Sequence, residues 1–98
     1  MSESSINSAL ELAAKARQAR LDLETQLNTG ATVLADVFEL GKSDPLVGRL
    51  KVMPLLDALP DVKKIDVRRF LESANISESV KLDQMTLDEA QLLVKEFG

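Results

Sequence analysis

Apolar positions along this chain repeat with a helical period and show no strand-like alternation. Over residues 6–28, Ile6, Leu10, Ala14, Leu21 and Leu27 recur near the 3.6-residue spacing, and Leu10, Ala13, Arg17, Leu21 and Glu24 share one helical row. Ala9, Ala13, Ala14, Ala16 and Ala19 add intrinsic helix propensity. Asn28-Thr29-Gly30 supplies the stop, because glycine can take the left-handed conformation that closes a helix. The spacing therefore predicts a long helix over 6–28 behind a flexible polar start at 1–5. Its middle is only weakly apolar, so part of it is expected to project from the core.

Shorter elements follow. Thr32 can cap a helix over Val33–Leu40, with Val33, Leu34, Val37, Phe38 and Leu40 buried and Gly41 as its stop. Ser43-Asp44-Pro45 reads as a cap with proline at the first helical position, opening a single turn around Leu46–Gly48. Arg49–Val52 leads into a short helix, Pro54–Leu59, that buries Leu55, Leu56 and Leu59. After the loop Pro60–Lys64, Asp66 can cap Val67–Ala74, with Val67, Phe70 and Leu71 inward and Arg68 and Arg69 outward. Asn75 suits a left-handed terminus. Ile76–Met85 reads as one turn plus loop. Thr86 and Glu89 form a capping-box pair for a last helix, 86–97, burying Leu87, Ala90, Leu93, Val94 and Phe97. The predicted fold class is all-α, one domain over 1–98.

Composition narrows the chemistry. Hydrophobic residues make up 45% of the chain, but Phe38, Phe70 and Phe97 are its only aromatics, so the core must be aliphatic. With no cysteine and no histidine, disulfides, thiol chemistry, imidazole catalysis and the usual zinc ligand sets are excluded. Asp57/Asp61 and Asp88/Glu89 are acid pairs, but acid–base work needs carboxylates facing each other across a pocket, and neighbouring helical residues diverge. No catalytic residue, metal site, cofactor or small-molecule substrate is expected, and the chain is not read as an enzyme. No apolar run approaches the ~18 residues of a membrane span, and the polar start carries no signal-peptide pattern. A soluble, cytoplasmic protein is the expectation.

The net charge is −4, yet it is unevenly spread. Residues 49–69 hold six cations against three acids, a net +3, and the rest holds six against thirteen, a net −7. A basic segment can steer a protein toward an anion even when the whole molecule is acidic.

Within that segment, Lys51-Val52-Met53-Pro54-Leu55-Leu56-Asp57-Ala58-Leu59-Pro60 runs through Asp61-Val62-Lys63-Lys64 to Ala74-Asn75-Ile76. With Ala13–Arg20, Ile76–Ser79 and the ending Lys95–Gly98, this order and spacing resembles the integration host factors of actinobacteria along nearly the whole chain. The resemblance implies an all-helical domain with a long N-terminal helix and a helix–two-turn–helix motif within 51–76. Its parts here would be Pro54–Leu59, the turns Pro60–Ile65, and Val67–Ala74. It also implies a nucleoid protein holding double-stranded DNA by its phosphates with little base preference. Under that implication Lys51, Lys63, Lys64 and Arg68 are the leading phosphate ligands, followed by Arg69 and by Lys81. Lys15, Arg17 and Arg20 are either partners for neighbouring helix acids or a second DNA-facing surface. Arg68-Arg69 is either a solvated pair or a phosphate clamp.

Two stretches depart from the family pattern. Asp61-Val62-Lys63 stands where the family has glycine-valine-glycine, and Val80-Lys81-Leu82-Asp83-Gln84-Met85-Thr86 replaces an arginine-rich run, leaving Lys81 as its one cation. Fewer phosphate contacts mean weaker binding. The alternative is therefore a relative that has lost DNA binding and works as an interaction module, pairing with a basic nucleoid protein through Asp61, Asp66 and Asp83.

Overall fold

A computed structural model describes the backbone of residues 2–98 and the side chains of residues 9–98. The fold is all-α. Helices α1 (Ser2–Thr29), α2 (Leu34–Ser43), α3 (Pro45–Gly48), α4 (Val52–Asp57) and α5 (Lys64–Ser73) are followed by a 3-10 turn at Leu82–Gln84 and by α6 (Leu87–Phe97). Among the described residues no helix is long and apolar enough to cross a membrane.

Helix α1 is helical from Ser2, so the start expected to be flexible is helical at 2–5, while Met1 lies outside the described residues. Ser-Glu-Ser-Ser contains no helix breaker, and each added residue gains a backbone bond once a helix is nucleated. Leu10 and Leu21, expected on the core row, are 63% and 44% exposed. The core row runs instead through Leu23 and Leu27, with Ala16 and Ala19 packed beside it. Residues 9–15 are exposed all round, so the N-terminal half of α1 projects as anticipated, and the molecule measures 47 × 28 × 24 Å. Gly30 closes the helix at φ +80°, and the Thr32 amide donates to the Gln26 carbonyl at 3.2 Å.

That bond commits Thr32 to the end of α1, and α2 starts one residue later from Val33, with no side-chain cap. Leu34, Val37 and Phe38 are buried as expected, but Val33 and Leu40 are exposed. Gly41 does not stop α2; it is a buried residue within it. A Cβ there would meet Leu82 Cβ at 3.1 Å, so the glycine serves close packing. The helix ends at Ser43, and Asp44 caps α3 through a 2.9 Å bond from the Leu46 amide, with Pro45 at the first position.

Both motif helices begin earlier than the sequence suggested. Pro54 sits third in α4, where its missing N–H has no intrahelical partner to lose, so the helix can start at Val52. Asp66 does not cap α5. The Lys63 carbonyl already accepts from the Asp66 and Val67 amides at 3.1 Å each, which places Asp66 inside the first turn. Val52, Leu55, Leu56, Val67 and Leu71 have no exposed surface and form the centre of one aliphatic core. Asn28 Nδ2 donates to the Ala58 carbonyl at 3.1 Å and ties the foot of α1 to the turn leaving α4. Asn75 has φ +60°.

Helix α6 closes the core with Leu93, fully buried, and with Phe97, whose ring meets Phe70 edge-on at 5.2 Å. Leu87, expected to be buried, is 61% exposed: it is the first residue of α6 and lies at the open rim of the groove between α6 and α2, with Phe38 and Lys42. The capping box is complete: the Glu89 amide donates to Thr86 Oγ1 at 3.1 Å, and the Thr86 amide donates to Glu89 Oε1 at 2.9 Å. Thr86→Ala should therefore cost about 1 kcal/mol. Thermal melting would register that as a drop of roughly 4–8 °C for a domain of this size; an unchanged midpoint would mean that the box does not hold α6.

Candidate nucleic-acid interface

The nine candidate cations fall into separate groups. Lys63 occupies the cap position of α5, Lys64 its first turn, and Arg68 lies four residues beyond Lys64 on the same helical face. All three are exposed. The amides of Lys64 and Ile65 precede the first intrahelical bonds, and no side chain caps this end of the helix. Uncapped amides, the positive end of the helix dipole and three cations thus coincide at one edge of the two-turn segment, an arrangement suited to an anion.

Arg69 belongs elsewhere. It lines a cleft of about 550 Å³ with Asp61, Asp66, Glu96, Phe70 and Phe97, on a different side of α5 from Lys64 and Arg68. Three carboxylates around that cleft weaken its appeal to phosphate. Lys51 and Lys81 come together as a single antiparallel bridge between the segment entering α4 and the connector leading to α6. Each lysine stands out in the sequence as a candidate phosphate ligand, but their meeting across thirty positions does not. The available signal was a pair of apolar-lysine-apolar triplets, Leu50-Lys51-Val52 and Val80-Lys81-Leu82, whose period of two suits a short ladder.

Lys15 and Arg17 stand on the projecting, exposed half of α1. Arg20 sits lower, half-buried, with Nε 3.7 Å from Glu24 Oε1 and that nitrogen shielded from solvent. The geometry favours the intrahelical-partner reading for Arg20. Among the described residues no cluster of acidic side chains is arranged to hold a metal ion.

An S13-like H2TH domain, the helix–two-turn–helix class, matches residues 27–97, which include both motif helices and α6. The integration host factor of Mycobacterium tuberculosis is 36% identical over 90 residues, covering 92% of this chain and 86% of that protein. The chain belongs to the actinobacterial integration host factor family. The integration host factor of Streptomyces coelicolor is 33% identical over 90 residues, covering 92% of this chain and 84% of the relative. The Mycolicibacterium smegmatis factor is 34% identical over 89 residues. The solved structure of sIHF bound to an 8-base-pair palindromic DNA superposes with a TM-score of 0.82 at 32% identity, covering 90% of this chain and 99% of that one. The all-helical fold is thus of the helix–two-turn–helix type. This member carries a net charge of −4, with Asp61 and Lys63 in the turns between α4 and α5.

Proposed function

We propose that this integration host factor relative is a nucleoid-associated protein that holds duplex DNA through its phosphates, with little base preference and modest affinity. It acts in the cytoplasm, as a non-catalytic architectural component. The observation carrying this reading is the uncapped start of α5, with Lys63, Lys64 and Arg68 around it, in a fold shared with a relative solved on DNA. The same edge supplies amides and point charges, the two kinds of group that bind phosphate. Lys51 and Lys81 add a second positive pair, and Lys15 and Arg17 offer a further patch on α1. The net charge of −4 and the carboxylates of Asp61 and Asp66 oppose indiscriminate binding, and for that reason the affinity is modest. Phosphate contacts of this kind respond to backbone and shape rather than to bases.

Fluorescence anisotropy of a labelled duplex of about 25 base pairs, at ~50 and ~200 mM salt, tests this reading. Micromolar binding that weakens steeply with salt is expected, and its slope, near 0.9 per phosphate contact, counts the contacts. Absence of binding at the lower salt would refute it. The acidic cleft of Asp61, Asp66 and Glu96 supports a second reading, in which the chain pairs with a basic nucleoid protein. Heparin separates the two: the DNA reading requires retention at low salt, and the second predicts flow-through.

A further inference from the structure

We propose that Lys51 and Lys81 together form a two-pronged seat for one phosphate group, and that filling it locks the connector between α5 and α6 onto the body of the protein. The proposal deepens the DNA reading and rests on its phosphate chemistry. Around the bridge, the Val52 amide donates to the Val80 carbonyl at 3.0 Å and the Leu82 amide to the Leu50 carbonyl at 2.9 Å. Those bonds flank the lysines rather than joining them, which makes 51 and 81 a non-hydrogen-bonded pair, the closer of the two antiparallel geometries at roughly 4.5 Å between Cα atoms. Leu50, Val52 and Leu82 are buried, so alternation drives both lysine side chains outward on one face. They cannot separate to opposite sides without exposing that apolar set.

Like charges directly opposite one another destabilise a strand pair. Among the described residues neither ammonium has a carboxylate within 4 Å, the ion pairs there being Arg20–Glu24 and Lys42–Glu39. Asp83, two residues beyond Lys81, lies instead beside Gly48, whose added Cβ would sit 3.7 Å from Asp83 Oδ2. The bridge therefore holds two unpaired cations together on a protein that is acidic overall. One phosphate between them would turn that repulsion into attraction, and any ligand that binds only the closed bridge stabilises it. Because Leu82 also packs against Gly41 in α2, closing the bridge fastens the connector to the core.

Thermal unfolding of the full chain, followed by circular dichroism and titrated with inorganic phosphate against chloride at matched ionic strength, tests the seat. The midpoint should rise with phosphate. Lys81→Gln and Lys51→Gln should each abolish the rise, and both should melt above the wild type in phosphate-free, low-salt buffer because the repulsion is gone. Lys95→Gln, the same charge change on α6, should keep the wild-type response. A wild type indifferent to phosphate, or a full response in both glutamine variants at the bridge, overturns the proposal. Duplex binding by the same proteins separates the phosphate sources. A phosphate response without duplex binding keeps the seat for free phosphate and refutes the DNA reading; duplex binding that Lys81→Gln leaves unchanged, with no phosphate response, does the reverse.

Discussion

Changing Lys63 and Lys64 together to glutamate is expected to abolish duplex binding while the helical circular-dichroism signal is kept. Both side chains are exposed and take part in no ion pair among the described residues, so their loss removes no packing. Their positions set the two consequences apart. The N-terminal end of a helix favours negative charge, so glutamates at the start of α5 should stabilise that helix by about 0.3–1 kcal/mol. A phosphate at the same place meets two anions where it had two cations, and the protein's net charge falls from −4 to −8 through four units of change. At least two contacts disappear, which lowers the salt slope by about 1.8 at 0.9 per contact. Binding and stability should therefore move in opposite directions. Unchanged binding would place the phosphate face elsewhere on the molecule, whereas loss of helical signal would mean that the two lysines serve the fold.

The second large effect lies in the core. An added Cβ at Gly48 would sit 2.7 Å from the Gly41 carbonyl oxygen and 3.3 Å from Asp83 Cβ. The first neighbour is backbone and cannot swing aside, so Gly48→Ala must push α3 away from α2. Alanine would otherwise favour a helix by about 1 kcal/mol over glycine. Overpacking of this kind costs roughly 1–3 kcal/mol and should outweigh that gain. A net loss of about 1 kcal/mol, and up to about 2, is expected, measured as the shift in the urea or thermal midpoint. Gly30→Ala is the contrasting case. Its surroundings are open, but φ of +80° imposes a strain of about 1–2 kcal/mol on any side chain. If Gly48→Ala proves as stable as the wild type, α2 and α3 have room to slide.

How much of this was legible in the chain itself divides along the range of the interactions. Signals carried by three or four neighbouring residues could be read directly. The Thr86–Glu89 box, the Asp44-Pro45 start of α3 and the left-handed Asn75 are each formed by the residues that announced them. Gly41 misled because glycine looks the same whether it ends a helix or admits a neighbour; only the arrival of Leu82, 41 positions later, distinguishes the two. In α1, alanines dilute the apolar pattern, leaving two rows of similar character, and the body of the protein selects the row of Leu23 and Leu27. Arg68 and Arg69 form one basic pair in sequence, and Glu96 divides them in space by lining the cleft that holds Arg69. The family resemblance was carried by the apolar and turn residues of the motif, and these fix the fold. The cations proposed to meet DNA are a surface property, on which neither the core pattern nor the caps depend.

The exposed half of α1 gives one continuous helix two regimes of hydrogen exchange. Amides near Leu23 and Leu27 open only with the core, whereas those around residues 9–15 depend on helix propensity alone and fray independently. One element of the chain thus contains both slow-exchanging and fast-exchanging backbone, and its projecting stretch can be ordered by whatever it touches without any cost to the fold beneath it.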